Sequence, residues 1–179
     1  RSLQKGVSLL ESLVALLVLA MGVLGMLGVQ LKTMADSQTA TNRVLAARLA
    51  EDLFERMKAN ATGTAQPYSL SSDWAAVTAP ASSARCDAEI CTSAQQATFD
   101  VWRWQTTVRN TLPGGNATTF LAPSDNQQLG VMVSWRLRNT DQTGNSAADT
   151  ARAGWLNVDV GGGPTCPAGS ACLVSYAKP

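Results

Sequence analysis

Four cysteines are the most reactive side chains in this chain of 179 residues, Cys86 and Cys91 within CDAEIC and Cys166 and Cys172 within CPAGSAC. An even number in close pairs suits disulfides formed in an oxidising compartment, each local loop gaining ~2–3 kcal/mol on closure. Local pairing is the expectation, although four cysteines permit three connectivities. Zinc is not expected, because such sites usually show tighter cysteine spacing with a second matching pair or histidines, and the chain has no histidine at all. That absence also removes Ser-His and Cys-His nucleophile pairs and the commonest general acid or base near neutral pH. Asp100 and Asp159 lie far apart in sequence with no partner that marks an acid–base pair. The run Gly161-Gly162-Gly163-Pro164 lacks the Lys-Ser/Thr of a phosphate loop and reads as a turn. Trp74, Trp102, Trp104, Trp135 and Trp155 read as core or interface rather than as a sugar platform. No catalytic residue, cofactor or metal is expected, and an anchored enzyme is disfavoured.

The elements that position these residues begin with a local lack of charge. Charged residues make up 15% of the chain, against roughly 25% in ordinary soluble proteins. The deficit falls in one place, Ser12 to Leu31, where SLVALLVLAMGVLGMLGVQL holds twenty uncharged residues. At ~1.5 Å per helical residue the run spans ~30 Å, the thickness of a bilayer core. Arg1 and Lys5 precede it, so the positive-inside tendency puts the N-terminus in the cytoplasm and everything after Lys32 across the membrane. A cleaved secretory signal fits less well: its apolar core runs to about 15 residues at most, and Ala20-Met21-Gly22 is a poor cleavage site. Hydropathy alone leaves a simple membrane anchor open.

Glu11 argues for more than an anchor. A carboxylate at the edge of a membrane helix carries a cost, which reaches ~2.5–3.5 kcal/mol at the centre, and so asks for a reason. The run K-G-V-S-L-L-E-S-L-V-A-L-L-V-L-A, residues 5–20, closely resembles the class III signal of type IV pilins and type II secretion pseudopilins: a basic leader ending in glycine, an apolar residue, and glutamate as the fifth residue after the cut. The resemblance implies cleavage by a membrane prepilin peptidase after Gly6 and methylation of the new amine on Val7. Val7 stands where phenylalanine is usual in the family. Gly6 lets the backbone lie extended in a protease cleft. Glu11 would supply the buried counter-charge for the positive N-terminus of a neighbouring subunit during assembly.

Helical spacing continues beyond the apolar run through Leu31, Met34, Leu45, Leu49, Leu53 and Met57, and no proline interrupts residues 7–59. The expected organisation is a leader at 1–6, one helix over 7–59 (membrane-spanning at 12–31, amphipathic at 32–59) and a globular α+β domain at 60–179. Gly22, Gly25 and Gly28 lie three apart and each costs the helix ~1 kcal/mol against alanine, as a packing face or a flexible segment; pilins often carry a helix breaker near the position of Gly28. Asn60 and Gly63 give helix stops. Residues 60–92 show no period and read as a long loop. A second helix from Ser93 is expected, with Ser93-x-x-Gln96 as a capping box and Val101, Trp104, Val108 and Leu112 as a buried stripe. Leu112-Pro113-Gly114-Gly115 ends it. Strands are expected at Thr118–Leu121, Leu129–Arg138, Gly154–Val160 and Ala171–Ala177, antiparallel, with the long helix laid across them.

Phe99-Asp100-x-x-x-Trp104, Leu112-Pro113-Gly114-Gly115, the Val-x-Val-x-Trp strand ending at Trp135 and the helix end Leu53-Phe54-Glu55-Arg56-Met57-Lys58-Ala59-Asn60 resemble the PilV group of type IV minor pilins. The resemblance implies a type IV pilin-like fold, a long N-terminal helix on a small antiparallel sheet with a second short helix. It also implies a minor pilin in the bacterial inner membrane, its C-terminal domain periplasmic, which joins other minor pilins and the major pilin, primes assembly and reaches the pilus tip. Twitching motility, adhesion and presentation of a large tip adhesin follow from the same resemblance. Two alternatives remain: a minor pseudopilin of a type II secretion system, and a tip subunit that contacts a surface, a carbohydrate or DNA. From residue 59 onward there are 7 basic against 8 acidic residues, so no nucleic-acid partner is expected from bulk charge. Removing Arg1 and Lys5 from the 14 basic residues leaves 12 against 13 acidic, so the mature chain would be −1 rather than +1.

Overall fold

The fold is taken from a computed structural model, which describes residues 9–60, 64–70, 74, 78–80, 85–136, 163–167 and 169–179. Helix α1 runs Leu9–Ala59. Helix α2 runs Ser93–Thr111, and strands β1 (Asn116–Ala122), β2 (Asp125–Arg136) and β3 (Ser170–Ala177) follow. This is the expected α+β architecture, a long N-terminal helix with a second helix and a small antiparallel sheet. The chain divides into two units, one through Ala40 and one from Thr41 onward. The expected strand Gly154–Val160, and Leu137 and Arg138 at the end of the expected strand Leu129–Arg138, lie outside the described residues.

In the first unit α1 is helical because it is unbroken by proline and rich in leucine and alanine, both strong helix formers. Thr33 turns its hydroxyl back onto the Val29 carbonyl at 3.0 Å. The second unit begins with the part of α1 that has a buried face. Ala46, Leu49, Ala50, Leu53, Phe54 and Met57 are buried there and Leu45 is half-buried. The expected stripe therefore divides: Leu31 and Met34 are exposed, because they lie in the first unit. On the polar face Asp52–Arg56 (2.9 Å) and Glu55–Lys58 (3.0 Å) pair across one turn, with the basic partner toward the helix C-terminus, the orientation the helix dipole favours.

The α2 cap falls one residue earlier than the Ser93-x-x-Gln96 pattern suggests. Thr92 is the extended N-cap residue; its hydroxyl accepts from the Gln95 N–H and the Gln95 side chain accepts from the Thr92 N–H at 2.9 Å. Both patterns have the right residue types at the right interval. Backbone geometry decides between them, since Thr92 is extended (φ −68°, ψ 158°) and Ser93 already helical. Val101, Trp104, Val108 and Leu112 form the buried stripe as expected. The helix closes with Leu112 N–H donating to Val108 O at 3.0 Å and Gly115 N–H to Leu112 O at 2.9 Å. A Cβ at Gly115 would lie 2.5 Å from Val108 O, so this return to β1 admits only glycine without movement.

The sheet has the order β1-β2-β3, antiparallel throughout. Phe120 pairs with Gly130 and Ala117 with Val133 in the first ladder, Val133 with Leu173 and Ser134 with Cys172 in the second. Pro123 and Ser124 make the β1–β2 turn, so the hairpin is longer than the apolar alternation alone indicates. Asp125 to Gln128 are polar and at least partly exposed, which hides them from a hydrophobic reading. Alternation predicts one buried face, yet Gly130 through Trp135 are all buried. Leu129, Val131, Val133 and Trp135 join the core with α1 and α2. Met132, Phe120 and Cys172 form a second cluster, on which Trp74, Cys166 and Val174 pack. The Phe120 ring lies over Gly130, where a Cβ would sit 2.5 Å from it. Glycine at this strand position makes room for the ring.

Candidate functional site

Among the described residues no cluster of three or more His, Cys, Asp or Glu is placed to hold a metal. The described part of the first unit presents instead an apolar surface. From Leu9 to Met34 every large apolar side chain is between 49% and 79% exposed. The helix is long and apolar enough to cross a membrane. A helix that is apolar on all sides is stable only when something covers it, lipid or protein. Glu11 lies in its first turn and is exposed. Gly6 and Val7, the expected cleavage and methylation positions, lie outside the described residues. A Cβ at Gly22, Gly25 or Gly28 would meet nothing within 4 Å among the described residues.

The cysteines are joined as Cys86–Cys91 and Cys166–Cys172, with Cα separations of 5.4 and 5.9 Å. Arg85 grips Asp87 with two hydrogen bonds beside the first loop, and this pairing holds the Asp87 carboxyl below the usual carboxylate range. The second loop packs beside the outer face of the sheet. There Trp74 donates its indole N–H to Thr165 O at 2.9 Å and its backbone N–H to Thr118 Oγ1 at 3.2 Å. Trp74 has φ +59°, a left-handed backbone uncommon outside glycine, and these two bonds hold it there. Trp104 and Trp135 are core residues, Trp102 is half-buried against Phe99 with ring centroids 5.6 Å apart, and Trp155 lies outside the described residues.

Sequence reasoning missed a buried polar network that ties the end of α1 to α2. Asn60 donates to Tyr68 Oη at 3.0 Å and to Ser93 O at 2.9 Å. The Tyr68 hydroxyl lies 3.1 Å from Asp100 Oδ2 and 3.3 Å from Arg56 O, and its single proton is shared between them. Gln96 donates to Asp100 Oδ1 at 3.0 Å, and the Arg56 guanidinium stands 3.7 Å from the same oxygen while gripping Asp52. Asp100 is thus a positioned structural carboxylate with no reacting partner. The available signal was its place next to Val101 in the apolar stripe of α2, where an acid must find donors.

Burial pushes the Tyr68 phenol up to about 12, with the Asp100 charge adding to the effect and the Asn60 hydrogen bond opposing it. Between the usual tyrosine value near 10 and that raised value, the unfolded chain has lost a proton that the folded chain keeps. Stability is therefore full below pH ~10 and falls as pH rises toward 12, by at most ~1.4 kcal/mol per unit. Urea unfolding at stepped alkaline pH should show this slope, and Tyr68→Phe should lower stability at pH 8 and flatten the slope. An unchanged slope in the variant would show that another group carries it.

Residues 28–102 match a family model described as Tt1218-like, Type IV pilin Tt1218. The match runs from within the apolar part of α1 into α2. Over that stretch the chain is similar to a type IV pilin family. No curated protein and no solved structure matches the chain.

Proposed function

We propose that the chain is a minor pilin of the PilV group. Prepilin peptidase removes residues 1–6 after Gly6 and methylates Val7. Residues 12–31 hold the subunit in the inner membrane with its N-terminus cytoplasmic and residues 60–179 periplasmic. With other minor pilins and the major pilin it primes type IV pilus assembly and then sits at the tip, where it supports twitching motility, adhesion and the display of a large tip adhesin. The role is structural rather than enzymatic.

The observation that carries this reading is a helix apolar on every side, exposed from Leu9 to Met34, with one acid in its first turn. A lipid anchor accounts for the apolar surface but leaves Glu11 without a purpose, whereas a filament core uses both. Two stretches that share no residue support the same family: the signal at residues 5–11 and the match at 28–102. Deleting the gene should empty the sheared-filament fraction, and the full chain supplied in trans should restore it. Normal filaments that no longer attach would favour a receptor subunit, and normal filaments with failed protein secretion would favour a pseudopilin.

A further inference from the structure

The two disulfides stand in opposite settings. Cys172 is 2% exposed and belongs with Phe120 and Met132 to the second cluster, on which Cys166 packs. It lies in β3 opposite Ser134 in the ladder, and Thr165, next to Cys166, accepts the Trp74 indole N–H. A reagent reaches that bond only by parting the cluster around it.

Cys86 and Cys91 are half-buried and belong to neither core cluster. Arg85 and the four residues between the cysteines, Asp87 to Ile90, are all exposed. The hydrogen bonds that shape the loop run within it: Ala88 and Glu89 N–H donate to Arg85 O at 3.0 Å, and Arg85 holds Asp87 at 2.7 Å. Arg103 of α2 adds an attraction on the Asp87 carboxylate, but both groups are exposed and solvent screens the pair. Exchange with a thiol requires that a thiolate reach one sulfur, and exposed disulfides are the labile ones.

We propose that Cys86–Cys91 is a thiol–disulfide exchange site on the folded chain, open to a small dithiol, and that Cys166–Cys172 is closed to the same reagent until the outer face of the sheet opens. A thiolate of the dithiol attacks Cys86 Sγ, the bond between the two sulfurs breaks, and Cys91 leaves as the thiolate. Cys91 is the better leaving group because it stands immediately before Thr92, the N-cap of α2, where the helix dipole favours negative charge. The Arg85 charge beside Cys86 is engaged by Asp87. The second thiolate of the dithiol then displaces Cys86 from the mixed disulfide. The chain gains two electrons and two protons as two cysteine thiols, and the dithiol loses the same number to become a cyclic disulfide. The site stands on the loop alone and is independent of the filament reading.

The test is stepped reduction of the full chain in detergent with dithiothreitol, followed by alkylation and peptide mapping, with circular dichroism on the same samples. Cys86 and Cys91 should be labelled at least about tenfold faster than Cys166 and Cys172, with the helix signal unchanged. Urea below the unfolding transition should speed labelling of Cys166 and Cys172 and leave the rate at Cys86 and Cys91 almost unaltered, because only the former pair waits for part of the fold to open. A monothiol should give its first adduct on Cys86. Equal rates for the two pairs, faster labelling of Cys166 and Cys172, loss of helix signal as Cys86–Cys91 opens, or a first adduct on any other cysteine would overturn the proposal.

Discussion

The full chain carrying Glu11→Ala should be cut after Gly6 as readily as the wild type and should nevertheless disappear from sheared filaments. The two steps ask different things of the residue. Cleavage needs an extended backbone at Gly6 and Val7, and Glu11 sits beyond that stretch in the first turn of α1. Assembly moves the apolar helix out of lipid and into contact with other helices, carrying the new α-amine of Val7 into a medium of low dielectric. An amine without a counter-charge there costs several kcal/mol, and with tenfold for each 1.4 kcal/mol a loss of ~3 kcal/mol lowers incorporation about 100-fold. Glu11→Gln keeps a hydrogen-bond acceptor and removes the charge, so its deficit should lie between that of Glu11→Ala and the wild type. The measurement is the ratio of processed subunit in the sheared fraction to that in the membrane. Wild-type amounts in filaments for Glu11→Ala would remove the assembly role from this residue. Uncut precursor would move the role to processing.

The stripe of Val101, Trp104, Val108 and Leu112 and the strands expected from Leu129 and Ala171 are legible because each repeats at the period of its element, and the run from Ser12 because no charge interrupts it. What escaped lacks a period. Thr92 outcompetes Ser93 as cap on backbone geometry alone. The start of β2 is polar, so only its pairing across the Pro123-Ser124 turn reveals it. The two local disulfides, by contrast, are expected from the short loops they close, and Cys86–Cys91 and Cys166–Cys172 are the pairs found. Most instructive is Asp100, which reads as an isolated acid at the level of sequence. Its partners Tyr68, Gln96 and Arg56 come from a 3₁₀ turn at Gln66–Tyr68, from α2 and from α1, and nothing in the spacing of residues 56, 68 and 96 announces that they converge.

Trp104 and Trp135 should behave differently on replacement although both are almost fully buried in one core. Trp104 Nε1 donates to Leu49 O at 2.7 Å, a bond from α2 to the backbone of α1 within the second unit. Trp135 Nε1 is buried with no hydrogen-bond partner among the described residues, so the cost of its desolvation is already present in the wild type. Trp104→Ala removes a large packed surface and the bond together, and should cost ~3–5 kcal/mol. Trp104→Phe keeps most of the ring packing, gives up the bond and leaves a smaller void, for a loss of ~2–3 kcal/mol. Trp135→Phe leaves a similar void but removes an unsatisfied donor, whose burial cost of ~1–3 kcal/mol returns to the folded state. That variant should fall within ~1 kcal/mol of the wild type. The check is urea unfolding of the full chain in detergent, followed by circular dichroism so that the altered tryptophan is not also the reporter. Equal losses for the two phenylalanine variants would mean that void volume alone decides. A larger loss at Trp135 would mean that its indole N–H has a partner in solution and that the sheet is closed at that point by a group that accepts from it.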